Sequence, residues 1–308
     1  MKKFLINLLF FSLFSLVFYV TALLLSGKFL PTYLSGNLSG RNVILAKDGS
    51  ARRFIQAKKH DIVDVLILGS SHACRSYDVR LFEEAGLTAY TLGSSSQPLS
   101  HSLRIYKKYV NTFSPRILII DVYPVLLNAS NTESILNTLP LFYEDEEFIY
   151  KAFCETYDIR LLHSLFYYKI FGDIKSIDDK LGKGDTYIRN GYVENNNTVK
   201  KLKDYPLSEL MIDDNNIRSL REIVNDAKER GIHVFLFNSP LPMKRYESYI
   251  NSVKINQLLS SIATYYDYNE AVKLGDSYFY DEGHINQKGV NLYCDWVLKR
   301  LKKRVIND

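Results

Sequence analysis

The chain has 308 residues, 46% of them hydrophobic and 24% charged, with 15 Gly and 8 Pro, a globular composition that excludes a disordered or collagen-like chain. Its 39 basic and 34 acidic residues give a formal charge of +5. Lys2 and Lys3 hold two of the positive charges, and the near-balance of the rest, without a long basic run, excludes a dedicated nucleic-acid binder.

Residues 4–26 carry no charge and are rich in Leu and Phe. As a helix this stretch rises about 34 Å, enough to cross a hydrocarbon layer about 30 Å thick. It is longer than the apolar core of a cleaved signal peptide, and no small-x-small pair closes it. Residues 1–27 therefore read as a signal anchor. Arg41, Lys47, Arg52 and Arg53 pull against the leading Lys2–Lys3 pair. A basic pair set directly before the first apolar segment nevertheless directs the downstream chain out of the cytoplasm. The expectation is a single-pass protein of a bacterial cytoplasmic membrane, with its C-terminal domain outside.

Residues 28–60 are polar and lack clear periodicity, with Gly36, Gly40 and Gly49 as breakers, and read as a juxtamembrane spacer. An apolar strand at 63–68 stops at Gly69, and a helix follows from about 75 to 85. A short strand at 88–92 ends at Gly93. Leu99, Leu103, Tyr106, Val110 and Phe113 recur at helical spacing, and a third strand at 117–120 ends at Asp121. The alternation returns with Ile217, Leu220, Ile223, Val224 and Ala227 on one helix face, closed by Gly231. A strand at 234–237, a helix at 246–262, a weaker strand at 262–266 and a last helix lined by Val290, Cys294, Val297 and Leu301 complete it. Alternating helices and nearly continuous apolar strands predict a parallel sheet covered on both faces.

Residues 128–205 break this rhythm and read as a largely helical insertion or lid between core segments 61–127 and 206–308. The acidic patch at 144–147 reads as solvated surface. Cys74, Cys154 and Cys294 have no metal-type spacing and form no disulfide framework; they read as buried apolar thiols, with one bridge as the alternative.

Ligands of open α/β sheets bind beyond the carboxyl ends of the strands. There the sequence places Gly69-Ser70-Ser71-His72, then Gly93 with three Ser, and finally Asp281-Glu282-Gly283-His284 before the last helix. A serine hydroxyl is a weak nucleophile and needs a base within hydrogen-bond reach. A neutral imidazole is such a base, and a carboxylate on its far nitrogen fixes its tautomer. Nothing in this set calls for a metal or a cofactor. A phosphate-binding dinucleotide fold is disfavoured, since Gly69-Ser70-Ser71 lacks the G-x-G-x-x-G continuation.

Leu66-Ile67-Leu68-Gly69-Ser70-Ser71-His72 resembles the first block of the SGNH/GDSL hydrolase superfamily. Residues 279–289, Phe-Tyr-Asp-Glu-Gly-His-Ile-Asn-Gln-Lys-Gly, resemble its last block, D-x-x-H-x-N-x-x-G. The resemblance implies a flavodoxin-like three-layer α/β/α sandwich on a five-stranded parallel sheet. It implies Ser71 as nucleophile, His284 as base and Asp281 as its orienting acid, with the amides of Ser71 and Gly93 as oxyanion donors. The third block of the family carries an Asn, where this chain reads Asp121-Val122-Tyr123-Pro124. The anchor and insertion make the chain similar to membrane-anchored members that serve teichoic-acid D-alanylation and exopolysaccharide acetylation. That implies an esterase or O-acyltransferase acting on a cell-envelope or exported polysaccharide, with a membrane-bound O-acyltransferase as a potential partner. The missing Asn motivates the alternative of a degenerate domain that binds glycan or that partner. His72, Arg189 and Tyr192 are the candidate substrate contacts.

Overall fold

The computed structural model describes residues 1–34, 43–44, 48–128, 132–172, 176–177 and 181–306. Gly36, Gly40, Arg41 and Lys47, used above for the spacer and the membrane orientation, lie outside the described residues. In chain order the longer helices are α1 (Lys2–Phe29), α2 (Ser50–Ala57), α3 (Leu99–Phe113), α4 (Glu133–Phe142), α5 (Glu146–Thr156), α6 (Ile159–Phe171), α7 (Asp214–Glu229), α8 (Ser252–Ser260) and α9 (Gln287–Leu301). The strands of three or more residues are β1 (Val65–Leu68), β2 (Ala89–Thr91), β3 (Ile117–Asp121), β4 (Asp185–Tyr187), β5 (Val193–Asn195), β6 (His233–Asn238) and β7 (Thr264–Asp267). The chain divides into two compact units, Ala46–Ser134 with Asp179–Asp308, and Met1–Leu45 with Ile135–Asp178.

The first unit holds a five-stranded, all-parallel sheet in the order β2-β1-β3-β6-β7. Leu66 registers with Tyr90 on one side and Leu118 on the other, and Ile119 with Phe235. This is the flavodoxin-like order, whose direction reverses between β1 and β3 and leaves a crevice beyond their carboxyl ends. The run of buried residues along β1 and β3 is the result of cover on both faces. Val65, Ile67, Ile117, Ile119, Phe235 and Phe237 pack with Val79 and Phe82 and with Tyr293, Cys294 and Val297 of α9. The alternate residues turn to the other face, where α3 and α7 pack on each other and on the sheet.

The structure departs from the sequence reading at four places. The stretch expected as one helix at 75–85 is two short ones, Ser71–Arg75 and Val79–Glu84, because Asp78 caps the second by accepting from the Arg80 N–H. The stretch at 246–262 likewise divides into Met243–Glu247 and α8. Where the spacer was expected, α2 packs into the sheet-bearing unit with Ala51, Arg53, Phe54 and Ala57 fully buried. The hairpin β4–β5, expected within the insertion, also joins this unit: Asn190 accepts from the Thr91 N–H at 3.0 Å, and Tyr192 is buried in the core.

The second unit gathers α5, α6 and most of α4 with α1. Ile135, Leu139, Phe142, Phe148, Ile149, Ala152, Leu161 and Tyr168 are buried in it. An 18-residue window of α1 reaches a mean hydropathy of 2.5 and is only 6% buried, so α1 has the length and composition of a membrane span. Cys74 and Cys294 are buried as expected, but Cys154 is exposed on α5, and all three thiols are free. The outward side of α5 carries it beside Lys151 and Glu155, which corrects the expectation of three buried thiols.

Candidate active site

Ser71 follows β1 at the point where the sheet order reverses. Gly69 makes the turn possible: its φ is +143°, and an added Cβ would stand 2.7 Å from the Asp121 carbonyl oxygen. Ser70 caps the following helical turn through the His72 N–H, and as the first residue of that turn Ser71 keeps its own N–H outside the intrahelical ladder. The turn is only five residues long, so its contribution is this amide rather than a macrodipole.

Ser71 Oγ lies 2.8 Å from His284 Nε2, across 213 residues of sequence. His284 Nδ1 lies 3.0 and 2.9 Å from the two oxygens of Asp281. Asp281 Oδ1 also accepts from the backbone N–H of Gly283 at 2.8 Å and of His284 at 2.7 Å. Burial alone would raise the Asp281 pKa. The His284 hydrogen bond and charge, with the two backbone donors, outweigh burial and hold it at about 2. An ionised Asp281 requires the proton on Nδ1, which leaves Nε2 free to accept from Ser71. The Tyr280 ring stacks on His284 with centroids 5.7 Å apart.

The rest of the last motif holds this loop against the sheet. Asn286 caps α9 by accepting from the Gly289 N–H and donates to the Ser277 carbonyl at 2.8 Å. A Cβ at Gly289 would stand 2.8 Å from the Tyr278 carbonyl oxygen. From the other side, His72 Nε2–H donates to the Gly283 carbonyl at 2.9 Å, and its ring centroid is 4.8 Å from that of His284. Burial first, then the neighbouring His284 and Arg245 charges, hold His72 well below the ordinary histidine range, so it stays neutral. Arg245 donates to the Glu282 carbonyl at 2.9 Å and lies over the rings of Tyr123 and Tyr205.

Gly93 follows β2 and packs against the helical turn that carries Ser71. A Cβ there would meet the Ser70 carbonyl oxygen at 2.4 Å and the Ala73 Cβ at 2.7 Å. Its N–H lies 3.4 Å from Thr91 Oγ1, and its carbonyl accepts from Arg53 at 2.6 Å. Arg53 also donates to the carbonyls of Gly191 at 2.9 Å and Asp48 at 3.3 Å. The Asp48 carboxylate accepts from the Ser50 N–H at 3.0 Å and the Ser95 N–H at 3.4 Å. One buried guanidinium thus ties the loop after β2 to the β4–β5 turn.

At the third-block position Asp121 is buried beneath the site. It accepts from Tyr77 at 2.9 Å, Tyr77 in turn meeting Tyr293, and burial raises its pKa to about 7. The Tyr123 ring lies against His72, centroids 4.1 Å apart. Neither side chain is an amide donor.

Ser71, Asp281 and His284 open into a cavity of about 390 Å³ whose other walls include Arg75, Ser95, Ser96, Lys183, Asp185, Asn195 and Tyr280. Arg75 grips Asp185 with two hydrogen bonds of 2.8 and 2.7 Å, and Asn195 donates to the same carboxylate at 2.8 Å. Two of the expected substrate contacts are elsewhere. Tyr192 is fully buried with its hydroxyl donating to Gln287, and Arg189 pairs with Glu83. The cavity-facing residues of this hairpin are Asp185 and Asn195, on its strands and not its turn. His72 supports the loop from behind and does not line the cavity. Cys74, whose thiol burial pushes up, donates to the Ser71 carbonyl and is no nucleophile. Among the described residues no group of three or more His, Cys, Asp or Glu is placed to hold a metal.

No family model matches the chain, and no curated protein is similar to it. Among solved structures, it is similar to a candidate acylhydrolase from Bacteroides fragilis, at 13% identity and a TM-score of 0.40 over 83% of this chain and 97% of that one. It is also similar to a GDSL-like lipase from Bacteroides thetaiotaomicron, at 12% identity and a TM-score of 0.41 over 84% of this chain and 99% of that one.

Proposed function

We propose that this chain is a membrane-anchored serine esterase or O-acyltransferase of the SGNH/GDSL type, acting outside the cytoplasm on acyl esters of an envelope or exported polysaccharide. The observation that carries this reading is the unbroken hydrogen-bonding sequence from Ser71 through His284 to Asp281 at the switch point of a parallel sheet. In the first half-reaction Ser71 Oγ attacks the ester carbonyl while its proton passes to His284 Nε2. The Asp281 carboxylate stabilises the imidazolium. The Ser71 amide, outside the helical ladder, donates to the oxyanion, and the Gly93 amide would join it on leaving Thr91 Oγ1. Collapse of the tetrahedral intermediate breaks the ester bond, and His284 returns the proton to the departing alkoxide, leaving an acyl-Ser71 enzyme. In the second half, His284 takes the proton of a water or of a sugar hydroxyl, which attacks the acyl carbonyl; the acyl–Oγ bond then breaks, His284 returns the proton to Ser71 Oγ, and the acid or the new ester leaves. The polar walls of the cavity suit a short acyl group on a polar alcohol better than a long apolar chain. Anchoring by α1 would tether the chain to the membrane where envelope polymers are made.

Steady-state hydrolysis of a model aryl acetate by the full chain, with and without Ser71→Ala and His284→Ala, tests the reading. Turnover lost in both variants supports it. Full turnover in Ser71→Ala overturns it, and glycan binding without any turnover favours a degenerate binding domain.

A further inference from the structure

We infer that α6 is a second membrane-contacting helix, whose outward face sits in lipid beside α1 near the bilayer boundary. The inference rests on α1 crossing a bilayer and is independent of the chemistry at Ser71.

Helix α6 is apolar on both sides. Leu161, Ser164, Tyr167 and Tyr168 are buried. On the outward side Ile159, Leu162, Phe166 and Ile170 recur at steps of three, four and four residues. Ile159, Phe166 and Ile170 are 49%, 40% and 49% exposed, and Phe171 beyond them is 46% exposed. A helix on the surface of a water-soluble domain carries charge on that side. The two charged residues of α6 are already committed, Arg160 to its N-cap Asp158 and Lys169 to Glu146. In water the stripe would be an open apolar patch.

What covers it is indicated by the helix it touches. His163 of α6 bonds the Tyr19 hydroxyl through Nε2 and lies 3.1 Å from the Tyr33 hydroxyl through Nδ1. Ser164 Oγ donates to the Leu34 carbonyl at 3.1 Å. The Tyr167 ring lies so close to α1 that a Cβ at Gly27 would stand 2.4 Å from it. The free surface of α1 is Phe-rich, with Phe10, Phe11, Phe14 and Phe18 about two-thirds exposed. Any lipid that surrounds α1 therefore meets α6 as well. Tyr19 lies sixteen residues beyond Lys3, about 24 Å along the helix axis, close to the far side of a hydrocarbon layer about 30 Å thick. Tyr19, Tyr33 and His163 thus stand where amphipathic rings favour the headgroup level.

The test uses the full chain with Cys154→Ser, leaving the buried Cys74 and Cys294 in place. Single cysteines introduced as Phe166→Cys, Ile170→Cys, Lys151→Cys or Phe10→Cys receive an environment-sensitive fluorophore. Each protein is reconstituted into vesicles of phosphatidylethanolamine and phosphatidylglycerol bearing a nitroxide near the headgroup or at mid-chain. Circular dichroism checks that each variant is folded. The expected result is blue-shifted emission at 166 and 170, quenched by the headgroup-level nitroxide several-fold more than at 151. Equal quenching at 166, 170 and 151, with position 10 quenched by the mid-chain nitroxide, overturns the inference alone. Loss of quenching at position 10 overturns the anchor and the inference together. Shielding of 166 and 170 in native membranes but not in protein-free vesicles overturns lipid as the occupant and points to a protein partner.

Discussion

The guanidinium of Arg53 donates to the carbonyl of Gly93 at 2.6 Å, so that a residue preceding the sheet fixes a peptide next to the candidate nucleophile. The same side chain reaches the Gly191 carbonyl at 2.9 Å, and Arg53 is fully buried. Replacing it by Met leaves buried acceptors unmatched and Asp48 without its counter-charge, which costs several kcal/mol in stability. The loop carrying Gly93 is then free to drift, and a displacement of about 1 Å near reacting atoms lowers rate by about 100-fold. The expected outcome is a lower kcat with KM little changed, and partial recovery in Arg53→Lys. Unchanged kcat in folded Arg53→Met would remove Arg53 from any positioning role.

Asp281→Asn is the sharpest probe of the imidazole tautomer. An amide facing Nδ1 can hold the proton on Nε2, the wrong nitrogen for accepting from Ser71. A loss of about four orders of magnitude in kcat is expected, read from ester turnover with folding checked by circular dichroism. The linkage has a definite sign. The native pKa of about 2 lies below the ordinary value of 3.8, so the stabilisation from this carboxylate is complete above that ordinary value and is lost as pH falls toward 2.

His72 gives a second pH dependence. Its native pKa is depressed below 6.5 by burial and by the charges of His284 and Arg245. Below about 6.5 the unfolded chain binds a proton that native His72 refuses, so stability falls on acidification and the contribution vanishes above that pH. His101 is depressed by burial as well, and Asp121, raised to about 7, contributes with the opposite sign in the same range, so the comparison is of the variant's slope against the wild type's rather than of either slope alone. Denaturation midpoints measured between weakly acidic and neutral pH should show a shallower slope in His72→Gln than in the wild type. Equal slopes would contradict a neutral, buried His72.

The Arg75–Asp185 pair forms a wall of the cavity without touching the triad proton path. Arg75→Lys keeps the charge and loses the bidentate grip. KM for a polar ester should rise about tenfold, the equivalent of one charge-assisted hydrogen bond, while kcat holds. A fall in kcat with KM unchanged would instead tie this pair to the transition state.

The hydrogen-bonded set of Ser71, His284 and Asp281 was legible in the sequence because Ser71 follows the end of β1, Asp281 and His284 directly precede α9, and each carries local reasons for its spacing. Gly69 permits the turn into Ser71, and Asn286 and Gly289 set the start of α9 directly after His284. The five core strands were legible for the same reason, as apolar runs that stop at Gly, Asn or Asp. Arg53 and Asp48 were not legible. They lie in a polar segment, where the buried Arg53 finds its acceptors on backbone carbonyls at Gly93 and Gly191, and such acceptors leave no mark in side-chain pattern. The hairpin β4–β5 misled in another way. Arg189 and Tyr192 have the chemistry of a polymer contact, but the turn bearing them packs at the edge of β2, where Asn190 bonds the backbone of Ala89 and Thr91. That packing leaves Asp185 and Asn195 to face the cavity.

The measurement that bears most directly on the central claim is mass spectrometry of the full chain after reaction with a serine-directed fluorophosphonate. The geometry of Ser71, His284 and Asp281 predicts a single adduct on the peptide containing Ser71, formed in the wild type and abolished in His284→Ala. An unmodified Ser71, or an adduct that forms equally well without His284, would contradict a serine nucleophile activated by that histidine.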